Sequence, residues 1–283
     1  MELIYQANQE LAEGPLWCND RLYWVDIKAC KLHQINPDTG EHRERHFPQQ
    51  LTSIAPTRNG EFVVTTRDGV ALLADFDSDL KLFVDIEGTI PGNRFNDAKV
   101  DPYGNLWAGS MDDSQTNVTG SLYRIDGNLN VSTEDTGYHI TNGPTFSTNG
   151  EILYHTDSVL KKIYSFRLSE AGITDKQVFI ELGSEHGHPD GMTVDAQGNL
   201  WVCEYGGWGI SKFDSTGKYL SKIDVPVANV TSCSFGGKNL DTLFITTAAQ
   251  ELSSAELVQQ PLAGSIFQTK PGVTGVSCSF FDR

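Results

Sequence analysis

Four polar residues scattered along the 283-residue chain, Glu13, Asn96, Asn142 and Asp190, have the oxygen donors of a site for a hard divalent cation. Two carboxylates and two amides, with no thiolate among them, suit Ca²⁺, Mg²⁺ or Mn²⁺. Three of the four stand directly before glycine, in Glu13-Gly14-Pro15, Asn142-Gly143-Pro144 and Asp190-Gly191-Met192. Singly each has an ordinary explanation, because Asp or Asn before Gly is a common turn and a lone Glu is usually solvated. Gathered at one point, two carboxylates are costly to desolvate and repel each other unless a cation joins them. A solvent-accessible cation with few protein ligands keeps open positions for water or substrate, as a catalytic metal needs. The chemistry therefore depends on a fold that brings these positions together.

An internal repeat supplies that fold. A polar turn followed by an apolar strand recurs at Asn19–Trp24, Asn59–Val64, Gly104–Trp107, Asn149–Tyr154, Gly198–Trp201 and Asn239–Phe244. From Trp24 through Val63, Trp107, Tyr154, Trp201 and Phe244 the steps are 39, 44, 47, 47 and 43 residues. A second short alternating strand follows each first one, at Lys31–Ile35, Gly69–Leu73, Gly120–Ile125, Lys162–Phe166, Gly209–Phe213 and Gly264–Phe267. No segment carries a long amphipathic helical period. Six units of this length predict an all-β chain. The expected fold is a six-bladed β-propeller of four-stranded antiparallel blades around a central channel, one domain over residues 1–283. The signature lacks the Gly-His and Trp-Asp marks of WD40 repeats. The strand at Glu2–Tyr5 is expected to complete the last blade, since an unpaired edge there would be exposed.

Register turns the repeat into a site. Eleven residues before Trp24, Val63, Trp107 and Trp201 stand Glu13, Thr52, Asn96 and Asp190, and twelve before Tyr154 stands Asn142. Equivalent positions at the start of the inner strands converge on the channel mouth. Glu13, Asn96, Asn142 and Asp190 should therefore face one another around one metal on the propeller axis.

Other motifs weigh less. His186-Gly187-His188 has a spacing that could place two rings on one strand face for zinc, but rim residues facing substrate or solvent are the preferred reading. No Gly-x-Ser-x-Gly elbow occurs. Gly206-Gly207-Trp208-Gly209 lacks the Lys-Ser/Thr and helix of a phosphate loop and reads as a tight turn.

Composition narrows the partners. Lys and Arg number 21 against 37 Asp and Glu, a net charge of −16, the wrong sign for nucleic acid or an anionic membrane. The first residues lack the basic and apolar stretches of a signal peptide, so a soluble cytoplasmic protein is expected. The five scattered cysteines, Cys18, Cys30, Cys203, Cys233 and Cys278, read as reduced thiols, and the two Asn-x-Thr triplets at Asn117 and Asn229 as chance.

The same residues carry a family resemblance. Glu13-Gly14-Pro15-Leu16-Trp17, Arg94-Phe95-Asn96-Asp97, Asp101 through Met111, Asn142-Gly143-Pro144, Asp157-Ser158, Pro189-Asp190-Gly191-Met192, Gly198-Asn199-Leu200-Trp201, Phe235-Gly236-Gly237 and Leu243 through Ala248 resemble, in order, the SMP-30/gluconolactonase/regucalcin-like family. The resemblance implies a six-bladed propeller with one axial divalent metal that hydrolyses a sugar lactone to the aldonic acid. It implies Glu13, Asn142 and Asp190 as metal ligands, Arg94 and Asn96 as substrate-binding residues, and Asp190 as general base. Calcium is the expected ion, with magnesium, manganese and zinc as alternatives. The expected partner is a small-molecule lactone, and the expected assembly a monomer or weak homo-oligomer. The segment from Asp112 to Thr119 is short and lacks a glutamate that a longer loop supplies in animal relatives. His188 and Phe146, the latter a Trp in many relatives, bear on which lactone is taken. The competing readings are a non-enzymatic calcium-binding or regulatory protein, a hydrolase of another lactone or ester, and an interaction scaffold.

Overall fold

The computed structural model describes residues 1–283, apart from the side chains of Leu82 and Phe83. Strand β1 (Glu2–Tyr5) precedes five complete four-stranded meanders. Blade 1 is β2 (Ala12–Cys18), β3 (Arg21–Asp26), β4 (Lys31–Ile35) and β5 (His42–His46); blade 2 is β6 (Leu51–Pro56), β7 (Phe62–Thr66), β8 (Gly69–Leu73) and β9 (Lys81–Asp85). Blade 3 is β10 (Asn93–Val100), β11 (Leu106–Asp112), β12 (Gly120–Ile125) and β13 (Val131–Tyr138). Blade 4 is β14 (Thr141–Phe146), β15 (Ile152–Asp157), β16 (Lys162–Ser169) and β17 (Gly172–Glu181). Blade 5 is β18 (His188–Val194), β19 (Leu200–Tyr205), β20 (Gly209–Phe213) and β21 (Tyr219–Asp224). Blade 6 joins β22 (Val230–Gly236), β23 (Thr242–Thr247) and β24 (Ile266–Thr269) to β1, whose Leu3 pairs with Phe267. The fold is the six-bladed propeller the repeat predicts, closed as expected by the N-terminal strand.

The repeated polar turn has a physical basis. Asp101 accepts hydrogen bonds from the backbone N–H groups of Tyr103 (2.8 Å) and Asn105 (2.9 Å), while its second oxygen accepts from Trp107 Nε1 (2.8 Å). Asp195 does the same for Gln197, Asn199 and Trp201 Nε1. Each aspartate thus folds the turn and fixes the indole that fills the space between blades. In blade 1 the indole Nε1–H of Trp24 donates instead to Gln9 (3.0 Å), and the ring stacks on His33 at 5.0 Å between centroids. All six anchors, Trp24, Val63, Trp107, Tyr154, Trp201 and Phe244, are buried.

Two features lie outside the sequence reading. A short helix α1 (Ser254–Gln259) sits between β23 and β24, opened by a capping box in which Ser253 and Glu256 satisfy each other's backbone N–H groups. The last residues form a strap across the far end of the channel. Phe281 is fully buried, donates its N–H to Pro56 O and accepts from Arg58 N, and Asp282 N–H donates to Gly104 O. Between the strap and the inner strands lies a cavity of about 600 Å³, with Phe146 in its wall. Among the described residues no helix is long and apolar enough to cross a membrane.

Candidate functional site

Every inner strand breaks register near its start. The shifts fall between Glu13 and Leu16, Leu51 and Ser53, Phe95 and Ala98, Asn142 and Thr145, Pro189 and Met192, and Val230 and Ser232. Such bulges re-aim side chains out of the sheet's regular alternation. Gly14 and Gly143 hold left-handed backbone at φ of +57° and +62°, which is why glycine follows Glu13 and Asn142. Gly191 answers a different need. A Cβ there would stand 2.2 Å from Ser232 Oγ and 2.9 Å from Ser232 Cα of the neighbouring inner strand. Gly191→Ala should therefore push blades 5 and 6 apart, destabilise the protein by about 1–3 kcal/mol in a denaturant titration, and displace Asp190 with it.

The bulges bring Glu13, Asn96, Asn142 and Asp190 into the wall of one cavity of about 180 Å³ at the end of the channel opposite the strap, with Arg94 and His188 beside them. Thr52, at the matching position of blade 2, stays out of that wall and hydrogen-bonds Thr65 Oγ1 at 2.7 Å. Asn96 donates to Asn142 Oδ1 (2.9 Å) and to Thr141 O (2.7 Å), and its own Oδ1 accepts from Arg94 Nη1 (2.6 Å). Asn142 donates to Ser158 Oγ (2.9 Å), whose hydroxyl passes on to Pro189 O (2.7 Å). This chain of bonds leaves Asn142 Oδ1 directed into the site, with one lone pair taken by Asn96.

The carboxylates are in a strained electrostatic state. Glu13 accepts the Gly14 N–H (3.0 Å) and stands within hydrogen-bonding reach of the Asp190 carboxyl; burial, aided by the nearby charge of Asp97, pushes its carboxyl up to about 8. Asp190 is raised well above the usual carboxylate range, first by burial and then by Glu13 and Asp97. Apart from the neighbouring Glu13 carboxyl, its buried Oδ1 has no hydrogen-bond partner among the described residues. An orphaned carboxylate oxygen next to a second buried carboxylate and an inward amide oxygen is a donor set that fits a divalent cation. Among the described residues no three His, Cys, Asp or Glu side chains cluster as a metal site, so a cation here needs the amide oxygen of Asn142.

Sequence reasoning missed two residues. Asp97, adjacent to Asn96, is buried; burial raises its carboxyl and Lys99 lowers it, and Lys99 Nζ donates to Met192 O at 2.9 Å. Asp113, on the short segment after β11, accepts from Arg94 Nε at 2.6 Å. The signal for Asp113 was its place directly after Met111-Asp112, although only the folded loop turns it toward Arg94. Burial lowers the affinity of the Arg94 guanidinium for its proton, an effect that Asp113 opposes. Arg94 is 3% exposed, and among the described residues its Nη2 has no protein acceptor.

The two histidines part ways. His186 hydrogen-bonds the fully buried Glu204 at 2.9 Å, whereas His188 bonds Ser158 O (2.9 Å) and lines the cavity. They do not form a zinc pair. Phe146 lines the strap-side cavity and not the cavity that holds Asp190. Gly206-Gly207-Trp208-Gly209 is the turn between β19 and β20, as read.

Comparison with known proteins supplies the last observations. The family model described as SMP-30/Gluconolactonase/LRE-like region matches residues 11–249. The chain is 32% identical to the pentonolactonase XacC of Haloferax volcanii, over 96% of this chain and 94% of that one. It is 30% identical to the 6-deoxy-6-sulfogluconolactonase of Pseudomonas putida, over 99% and 98%. The crystal structure of a calcium-binding protein, regucalcin, from Agrobacterium tumefaciens superposes with a TM-score of 0.96 at 24% identity, covering 100% of this chain and 97% of that one.

Proposed function

The chain belongs to the SMP-30/gluconolactonase/LRE-like family, and on that premise we propose that it hydrolyses a sugar lactone to the aldonic acid at the cavity formed by Glu13, Arg94, Asn96, Asn142 and Asp190. Two relatives named as lactonases, each matched along nearly its whole length, support the reaction class. The observation that carries the assignment to these residues is the buried, unpartnered Asp190 Oδ1 facing the same cavity as Arg94.

Glu13, Asn142 and Asp190 would hold a divalent cation, calcium first among the candidates, which when bound supplies Lewis acidity to the lactone carbonyl. Asp190 takes a proton from the attacking water at the carboxylate oxygen that would not hold the cation and returns it to the ring oxygen as the ester bond opens. Arg94 presents Nη2 to the sugar hydroxyls, with the rest of its fork locked by Asp113, Phe95 O and Asn96. Asn96 orients both neighbours, donating to Asn142 and accepting from Arg94. The modest cavity volume favours a monosaccharide lactone over a large ester.

A non-catalytic calcium-binding role, suggested by the name of the Agrobacterium protein, would draw on the same three residues. It leaves a buried arginine at the mouth of a cation site without purpose. Acid release from a panel of glucono-, galactono-, arabinono- and xylonolactones distinguishes the two. Cation-dependent hydrolysis of at least one member above its spontaneous rate is expected; tight calcium binding with no turnover on any member would favour the binding role.

A further inference from the structure

Three cations from three consecutive blades converge on the carboxylate of Asp113, and one of them, Arg94, lines the cavity. Lys28, on the turn between β3 and β4, reaches Asp113 Oδ1 at 2.8 Å. Arg67, on the turn between β7 and β8, reaches Asp113 Oδ2 at 3.3 Å, and Arg94, on β10, reaches Oδ1 at 2.6 Å. Asp113 can balance one of the three charges. Asp68, 3.8 Å from Arg67 Nε and 46% exposed, offsets a second through well-solvated contact. Against Asp113 and Asp68 alone one formal positive charge remains in excess, with Glu13 of the cavity wall as the further anionic neighbour of Arg94, on a chain whose net charge is −16.

That excess is unusual for a site meant only for neutral hydroxyls. Polyol oxygens need hydrogen-bond donors, which amides and hydroxyls provide without the mutual repulsion of three cations held around one carboxylate. The cationic environment holds the Asp113 carboxyl down at about 2 despite its partial burial. Lys28 and Arg67 are 21% and 33% exposed, so both can be reached from solvent, whereas Arg94 is buried and lines the cavity. Across the cavity stands Glu251, on the loop after β23. The cations gathered around Asp113 thus belong to blades 1 to 3, while Glu251 lines the cavity from blade 6.

We infer that this cluster is a subsite for a second oxyanion on the substrate: a sugar lactone carrying a phosphate, sulfonate or carboxylate at the end remote from its lactone carbonyl. The inference rests on the lactonase reading. With the carbonyl end at Glu13, Asn142 and Asp190, the remote anion meets Lys28 and Arg67, and Glu251 disfavours the reversed placement.

The test compares D-glucono-1,5-lactone with its 6-phosphate and 6-sulfonate counterparts, using the cation-loaded protein and subtracting spontaneous hydrolysis. At low ionic strength kcat/KM should be at least about tenfold higher for one of the anionic lactones, and the advantage should shrink with added salt. Lys28→Ala and Arg67→Gln, each checked for an unchanged melting temperature, should lower kcat/KM for that anionic lactone about tenfold more than for the neutral one. Equal or better use of the neutral lactone, or variants that slow both classes alike, would overturn the inference and leave the lactonase reading standing. Absence of turnover on all three together with the wider lactone panel would overturn both.

Discussion

Replacing Asp190 by Asn should give a folded propeller that hydrolyses lactone about 10³-fold more slowly than the parent. The amide keeps the size of the side chain and the bulge that aims it, but it cannot accept the proton of the attacking water, and it removes one anionic ligand from the cation. The stability consequence runs the other way. In the cation-free protein Asp190 is buried beside Glu13 with one oxygen unpartnered, so neutralising it relieves repulsion and a desolvation cost. The cation-free variant should melt no lower than the cation-free parent. Acid-release kinetics and thermal unfolding check the two halves. A variant that retains the parental rate would remove Asp190 from the chemistry, and Glu13→Gln, which takes away a ligand without touching Asp190, separates loss of the cation from loss of the base.

Arg94→Ala is expected to have the second largest effect. The guanidinium gives Nε to Asp113 and Nη1 to both Phe95 O and Asn96 Oδ1, so its removal takes away the substrate donor and loosens the asparagine that steadies Asn142. We expect kcat/KM to fall about 10²-fold, roughly 2.7 kcal/mol of transition-state stabilisation, with most of the loss in KM. Arg94→Lys should recover little, because an ammonium cannot reproduce a planar fork already fixed on three partners. Steady-state kinetics on the preferred lactone measure both. A loss confined to kcat, with KM unchanged, would assign Arg94 to the chemical step instead of to holding the sugar.

The inner half of each blade was legible because burial writes a pattern. The strands around Trp107 and Trp201 are marked by turns built on Asp, Gly and Asn, that around Trp24 by Asn19-Asp20, and all three by a buried anchor, and the strands that follow alternate cleanly. The outer strands β5, β13 and β21 left little trace. They are largely solvent-exposed edges rich in charged and polar residues, where burial imposes no period. The same contrast holds at the site. Glu13, Asn96, Asn142 and Asp190 could be aligned because each stands eleven or twelve residues before its anchor, and the structure does gather them in one cavity wall. Asp113 and Lys28 could not, since both lie on connecting turns whose length differs from blade to blade. The strap escaped notice for a related reason: Phe281 is a single buried aromatic near the end of the chain, outside the repeat.

The central claim is that Glu13, Asn142 and Asp190 together hold one divalent cation on which lactone hydrolysis depends. Its most direct test is to strip the protein with a chelator, remove the chelator, and titrate calcium back while acid release from the preferred lactone is followed. The account predicts a rate near the spontaneous one in the stripped protein, rising in proportion to added ion and levelling off at one equivalent per chain. Full activity in the stripped protein would contradict it.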